Sequence, residues 1–197
     1  RNPRLTSVSR ASDTLKSGMT EPDYIYRSGG FEKKPPGQLV HLGVHEAQAL
    51  GERAMQRLGY GAEAARIVAE NLVDTALCGY ASAGLPRILN MTDNPKHREP
   101  RHPVTVERET PTSALIDGGN NVGLYAAHRA TEITIAKARQ AGFALVGLYN
   151  SFYSGRNAYY LEMIARSDLI GIHLASGHLQ VVPPGGYRPW LIDLGRA

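Results

Sequence analysis

The chain has 197 residues, 42% of them hydrophobic, which is enough for one sizeable core. Its net charge of +4 is concentrated in residues 1–40, which hold seven basic residues against four acidic ones, so the remainder is almost neutral and does not have the composition of a nucleic-acid-binding fold. The only cysteine, Cys78, excludes an internal disulfide, and no apolar run approaches the roughly 20 residues of a membrane span.

Residues 1–40 form an extended basic tail without a sustained helix or strand period. The first twelve residues contain Arg and Ser but no acid, a composition typical of an organelle transit peptide or its remnant, and the chain begins without Met, as a processed protein would. These features predict the mitochondrial matrix, with the cytoplasm as the alternative. An expressed fragment is an equally good interpretation of the same start. Nucleic acid is expected to contact this protein through the basic tail only, if at all.

Two amphipathic helices follow the tail. Apolar residues recur at helical spacing in Val44–Leu58 and again in Ala62–Leu77, and Gly59 to Gly61 separate the two periods. A connection this short predicts an antiparallel helical hairpin. The first helix is expected to bury Ala47, Leu50, Ala54 and Leu58. After the hairpin, the turn-rich segment Gly79–Arg87 places Ser82 and Arg87 at a helix end.

The middle of the chain alternates loop and strand signals. Residues 90–101 are polar and contain two prolines, which predicts a loop, and strands are expected at 104–107 and 113–117. Asp117–Gly123 is a glycine-rich turn that leads into a helix over 124–140. Free N–H groups at a helix start can cradle a phosphate, but the spacing is not Gly-x-Gly-x-x-Gly, and an ordinary tight turn explains it as well.

The stretch 143–183 predicts the centre of the fold. A buried strand at 143–149, a loop at 150–156, a helix from Asn157 to Met163 or Arg166, and a strand at 169–175 form a βαβ unit, with a third strand at 179–183. Ligands bind at the carboxyl ends of such strands, so Asn150–Gly155 is where a site is expected. Tyr159 and Tyr160 are interpreted as packing residues. The fold class is therefore α/β, with residues 41–197 forming a helical hairpin beside a mixed sheet that contains a βαβ unit.

Taken in order, these segments resemble the malate/L-lactate dehydrogenase family, which includes ureidoglycolate and sulfolactate dehydrogenases and the Δ1-piperideine-2-carboxylate reductases. The resemblance runs from about Val44 to Pro189 and covers what looks like the first half of that fold. Beyond the hairpin, it rests on short motifs: Ser82 to Arg87, Asp117-Gly118 with Gly123, Asn150-Ser151 with Gly155, Tyr159-Tyr160, Ile170 to Ile172, and Pro183 with Gly185-Gly186.

The resemblance implies an NAD(P)-dependent oxidoreductase and assigns residues to its site. The catalytic positions would be Ser82, Ala83, Arg87 and Tyr153, and the cofactor-binding positions Asp117, Gly118, Gly123, Asn150, Ser151 and Gly155. The family carries its acid/base histidine where this chain has Ala83, and a second histidine where it has Tyr153, while Arg87, which would hold the substrate carboxylate, is kept. Alanine cannot transfer a proton, and a phenol is a weaker acid than imidazolium. No Cys/His cluster has metal-binding spacing, so no metal is expected.

Two functions follow from these features. The first is a non-catalytic, repurposed accessory or structural subunit of a larger, possibly mitochondrial, assembly, with other protein subunits or a second copy covering the truncated sheet and with no cofactor. The alternative is an NAD(P)H-dependent oxidoreductase that acts on a 2-oxoacid, a 2-hydroxyacid or a cyclic ketimine. Ala83, Tyr153 and the short length favour the first function, whereas the alternative requires Tyr153 or another group to replace the histidine.

Overall fold

The computed structural model describes residues 24–27, 30–33 and 42–175. The chain divides into two units, residues 1–43 and 44–197. In the first unit, β1 (Tyr24–Arg27) pairs antiparallel with β2 (Gly30–Lys33), so the predicted tail without regular structure does contain a short hairpin. The first twelve residues, whose composition predicts a transit peptide, lie outside the described residues, and so does the strand predicted at 179–183.

The second unit begins with the predicted helical hairpin. Helix α1 spans Val44–Arg57 and helix α2 spans Ala62–Leu77. The buried face of α1 is defined by Gly51 and Met55, whereas Leu50 is exposed, so the predicted face is displaced by about one residue. The reason is close packing: a Cβ at Gly51 would lie 2.9 Å from Ala69 Cβ, which shows how near α2 approaches.

Residues 81–98 contain more helix than predicted. A 3₁₀ turn at Ala81–Ala83 precedes helix α3 (Arg87–Asp93), and a second 3₁₀ turn covers Pro95–Arg98. The prediction of a loop over 90–101 was therefore wrong for its first part. The polar residues of this segment lie on one side of α3 only. On its other side, Ile88 and Met91 are buried against the hairpin.

A three-stranded mixed sheet follows, in the order β3-β4-β5. Strand β3 (Thr105–Glu109) is antiparallel to β4 (Ser113–Val122), and β4 is parallel to β5 (Leu145–Phe152). Helix α4 (Gly123–Ala141) connects β4 to β5. The βαβ unit is thus present, but it is built from β4, α4 and β5, one step earlier in the chain than predicted.

Most of the glycine-rich segment, residues 117–122, is an irregular part of β4 and not a separate turn. Gly119 and Asn120 both have positive φ, 60° and 55°, and the register with β5 shifts between Asp117 and Asn121. Pairing then resumes through Val122, and α4 begins at Gly123. Left-handed residues inside a strand locally rotate the chain without ending its pairing.

The predicted strand at 169–175 is absent from the described sheet. Helix α5 (Asn157–Ala165) ends between the two predicted residues, Met163 and Arg166, but the residues after it are irregular. Gly171 and His173 pack back on α5, whereas Ile170, Ile172 and Leu174 are 100%, 86% and 84% exposed. The apolar alternation that predicts a strand is real, but no described strand pairs with it.

The core of the second unit lies between the hairpin, α3 and the ends of β4 and β5. It contains Met55, Val68, Leu72, Val122 and Phe152, each at most 7% exposed. Among the described helices, none is both long and apolar enough to span a membrane.

Candidate functional site

The loop 153–156, between β5 and α5, brings predicted site residues together. It follows the carboxyl end of β5, where sequence reasoning places a site. Two of its residues have positive φ, Tyr153 at 57° and Gly155 at 74°. A left-handed conformation costs a non-glycine residue roughly 1–2 kcal/mol, so other contacts must hold Tyr153 in place.

Tyr153 lies against Arg87, the arginine to which the family resemblance assigns the substrate carboxylate. The guanidinium carbon of Arg87 is 4.6 Å from the centre of the Tyr153 ring. A guanidinium over an aromatic face is attracted by the ring quadrupole. Arg87 Nε is also buried, with no hydrogen-bond partner among the described residues. The geometry therefore fixes a partly buried cation beside a phenol at the end of the sheet.

The remaining predicted catalytic residues lie just before Arg87. Ser82 is exposed and Ala83 half-buried in the 3₁₀ turn, where the Ala83 N–H donates to the Tyr80 carbonyl at 2.9 Å. Arg87 is the first residue of α3, and its N–H donates to the Gly84 carbonyl. The methyl group of Ala83 offers no group that can exchange a proton.

Asp117 and Asn150, which the resemblance assigns to the cofactor, bind each other. Asp117 Oδ1 accepts a hydrogen bond from the Gly119 N–H and another from Asn150 Nδ2, both at 2.8 Å. These bonds to the carboxylate lower the pKa of Asp117, with the Gly119 N–H the larger cause. Asn150 itself has a φ of 50°, so this pair stabilises a bend in β5 directly before Ser151.

The three glycines assigned to the cofactor pack against other parts of the protein. A Cβ at Gly118 would lie 2.9 Å from the Asn150 carbonyl oxygen, and one at Gly123 would lie 2.9 Å from Ser154 N. A Cβ at Gly155 would overlap Leu124 Cδ2. Internal packing accounts for each of these glycines, and the described residues do not form an open phosphate cradle there. The cofactor contacts of these residues and of Ser151 stay a prediction.

Sequence reasoning missed the residues that anchor the loop. Arg156, only 13% exposed, pairs with Asp74 of α2 and at 2.8 Å with Glu162 of α5. Its pKa is raised, chiefly by the bond to Glu162. Tyr160 Oη donates to the Ser154 carbonyl at 2.6 Å. An arginine directly before a predicted helix that carries an acid six positions later was the available signal for the first anchor; no sequence signal marked the second.

Two buried asparagines fix the neighbouring segment. Asn121 Nδ2 donates to the carbonyls of His102 and Gly118, at 2.7 and 2.8 Å, and Asn120 Nδ2 donates to the Lys96 carbonyl at 2.9 Å. These bonds tie the loop after α3 to the bulge in β4. The Asn-Asn pair next to two glycines signalled a polar turn, but not which carbonyls it would bind.

One concavity lies away from this site. An open cavity of about 750 Å³ lies at the opposite, amino ends of β4 and β5, lined by residues that include Arg108, Ser113 and Leu145. No group of three or more metal-binding side chains occurs within the described part of the chain.

Comparison with known proteins gives a consistent match. The sequence profile of the family described as malate/L-lactate dehydrogenase matches residues 42–191. L-sulfolactate dehydrogenase of Methanothermobacter thermautotrophicus is 38% identical over 131 residues, which cover 66% of this chain and 38% of that protein. Ureidoglycolate dehydrogenase (NAD(+)) of Escherichia coli O157:H7 is 33% identical over 139 residues, covering 68% and 39%.

The structures agree with the sequences. Malate dehydrogenase of Pyrococcus horikoshii OT3 superposes with a TM-score of 0.62 and 29% identity, over 76% of this chain and 39% of that one. The chain therefore spans about two fifths of the length of the relatives it matches.

Proposed function

Because this chain belongs to the malate/L-lactate dehydrogenase family, we propose that it carries the carboxylate-binding side of an oxidoreductase that acts on a small 2-hydroxy or 2-oxo acid. Its relatives include dehydrogenases named for sulfolactate, malate and ureidoglycolate. These compounds share a carboxylate next to the carbon that is oxidised or reduced. A cyclic ketimine that carries a carboxylate belongs to the same substrate class.

The position of Arg87 is the observation that carries this proposal. The guanidinium is held against Tyr153 at 4.6 Å, and its buried Nε has no partner among the described residues. Arginine binds carboxylates through paired N–H donors, and a planar guanidinium already fixed on a ring loses little freedom when it does so. An anionic substrate group at Arg87 would place its reacting carbon near the loop 153–156.

The proton required for hydride transfer needs a donor other than position 83. The phenol of Tyr153 is a candidate within the described site, because it already lies beside the arginine. The family's cofactor is NAD(P), but the described residues show no open cradle for it, and the proposal rests on the substrate side alone.

A second candidate function is supported by Ala83 and by the exposed stripe Ile170, Ile172 and Leu174. In this alternative, the protein is a non-catalytic subunit, and a partner protein covers the stripe. Such a subunit would keep the fold and Arg87 but would not catalyse the oxidoreduction. Size-exclusion chromatography with light scattering on material purified from its source tests it: stable partners without turnover favour this candidate.

The proposed activity is tested by incubating the protein with NADH or NADPH and a series of 2-oxo acids and cyclic ketimine carboxylates. We expect consumption of the reduced nicotinamide with at least one of them. Arg87→Gln should lower kcat/KM about 10- to 100-fold, since a charge-assisted hydrogen bond to the substrate is lost. The matched control is Arg139→Gln, at an exposed arginine in the last turn of α4. Turnover that is unchanged in Arg87→Gln would reject the role given to Arg87. If the unsubstituted protein turns over none of the substrates, the proposed activity is rejected.

A further inference from the structure

Tyr160 has two separable sets of contacts. Its ring is fully buried, stacks on His173 at 5.3 Å and 15°, and meets Tyr159 edge to face at 5.7 Å. These contacts pack α5. Its hydroxyl leaves this apolar environment and donates to the Ser154 carbonyl at 2.6 Å, in the middle of the loop 153–156. Burial raises the pKa of the phenol, which keeps the donor proton in place.

The carbonyl that accepts this bond lies between two left-handed residues. Tyr153 precedes Ser154 with a φ of 57°, and Gly155 follows it with a φ of 74°. Other contacts limit the loop on both sides: Gly123 allows the Ser154 backbone to pack directly on α4, and Arg156 binds Asp74 and Glu162. Among the described residues, Tyr160 alone supplies a side-chain donor to the loop's backbone.

The loop conformation sets where the Tyr153 ring lies. A left-handed residue directs its side chain differently from one in the α or β region, so relaxation of Tyr153 to a negative φ would move the ring off Arg87. We infer that Tyr160 is a positioning residue: its hydroxyl holds the loop in the conformation that places Tyr153 over Arg87. As a statement about substrate binding, this inference rests on the proposed function; as a statement about geometry, it does not.

Tyr160→Phe tests the inference, because it removes the hydroxyl and keeps the buried ring. The matched control is Tyr159→Phe, the same change in the adjacent buried tyrosine, whose ring contacts His128 and Tyr160. The first measurement is the NMR chemical shift of the Arg87 side-chain protons, which the Tyr153 ring current displaces upfield. Tyr153→Leu identifies that displacement by removing the ring.

We expect Tyr160→Phe to lose most of the ring-current displacement and Tyr159→Phe to retain it. With a 2-oxo acid that the protein reduces, KM in Tyr160→Phe should rise roughly five- to tenfold, which is the effect of one lost hydrogen bond. The change in kcat should be smaller. A para-amino-phenylalanine at position 160 keeps a hydrogen-bond donor and should restore both the ring-current displacement of Arg87 and the KM. A merely structural role would instead lower thermal stability equally in the two tyrosine variants and leave the Arg87 shift unchanged.

An unchanged Arg87 shift in Tyr160→Phe, or an equal loss in Tyr159→Phe, would overturn the inference. If Tyr160→Phe does not fold, Gly123→Ala displaces the same loop from the side of α4, and an unchanged shift there would also overturn it. If Tyr160→Phe loses the ring-current displacement of Arg87 but the unsubstituted protein has no turnover, the positioning role is supported and the proposed activity is rejected. Failure of the inference and failure of the proposed function are therefore distinguishable.

Discussion

At the scale of single residues, position 83 decides what chemistry this site can carry out. The turn that holds Ala83 leads directly into α3 and Arg87, so the arginine that the family resemblance assigns to the substrate carboxylate is kept, and an alanine stands where the family carries its histidine. In the proposed function, Arg87 and Tyr153 bind and orient the acid. Proton transfer depends on the phenol or on a group beyond the described residues.

Restoring an imidazole at this position tests whether the defect is local. If the missing acid/base is the only obstacle, Ala83→His should raise the rate of 2-oxo acid reduction roughly 10²- to 10⁴-fold, measured from the absorbance of the reduced nicotinamide. Tyr153→Phe is the companion variant, because it keeps the ring over Arg87 and removes the hydroxyl. Loss of turnover in Tyr153→Phe would identify the phenol as the native donor. No gain in Ala83→His would show that the defect lies elsewhere.

At the scale of elements, the junction between β4, α4 and the loop 153–156 depends on backbone approach. The glycines at 118, 123 and 155 each occupy a place where a Cβ would meet another part of the chain closer than 3 Å. Such contacts allow the two parallel strands and the following helices to converge at one end of the sheet. The geometry of the candidate site therefore depends on residues that have no side chain.

Gly155→Ala should be costly to stability. A methyl group would overlap Leu124, and the φ of 74° is unfavourable for alanine, so we expect the free energy of unfolding to fall by about 2–4 kcal/mol. The measurement is urea unfolding followed by circular dichroism.

Gly147→Ala in β5 is the matched control for Gly155→Ala. Its Cβ would lie 3.4 Å from Leu115 Cδ1, an ordinary contact, and its φ is not positive. Stabilisation by about 0.4–1 kcal/mol is expected, because alanine reduces the freedom of the unfolded chain. Similar effects at the two positions would contradict the close-packing account of residue 155.

At the scale of the whole molecule, several half-buried histidines link stability to pH. Burial lowers the pKa of His97, His128 and His173 below the usual value of 6.5, and for His97 the charges of Arg101 and Arg98 add to this. At His128, the charges of Glu132 and Glu70 oppose the effect of burial, and Arg66 reinforces it. The folded state therefore binds protons less readily than the unfolded chain.

The stability of the protein should consequently fall as the pH is lowered. A histidine whose folded pKa is depressed below its unfolded value contributes fully above the unfolded pKa, and this contribution is lost as the pH falls from about 6.5 towards the folded pKa. Urea midpoints measured between about pH 7.5 and pH 5 should decrease, and His128→Gln should flatten part of that slope. His45→Gln, at an exposed position in α1, is the control. A slope that His128→Gln leaves unchanged would exclude His128 as a source.

Cofactor binding is also a property of the whole molecule. Because the chain spans about two fifths of the length of its relatives and its glycines at 118, 123 and 155 pack against other parts of the chain, we expect residues 1–197 to bind NADH or NADPH weakly, yet enough for the turnover proposed above. Fluorescence titration of the reduced nicotinamide measures this, with the E. coli ureidoglycolate dehydrogenase as the positive control. Micromolar affinity would contradict the expectation.

The sequence by itself determined the long helices and the family. The apolar period of Ala62–Leu77 predicts α2 with the observed bounds, since a helix period is a local property of the chain. The motifs from Ser82 to Arg87 and from Asn150 to Gly155 have the order of the malate/L-lactate dehydrogenase family, and the family match confirms that resemblance.

Tertiary structure decided the pairing of strands and the geometry of the site. Alternating apolar residues at 169–175 show that one face is suited to burial but cannot specify a partner strand, and in the described structure none pairs with them. Residues 117–122 likewise continue β4 because β5 lies beside them, which no local signal predicts. Arg87 and Tyr153 are 66 positions apart in the sequence. Only the packing of α3 against the end of β5, with Tyr160 and Arg156 holding the loop, brings the guanidinium and the ring together, because contacts between distant residues depend on the whole fold.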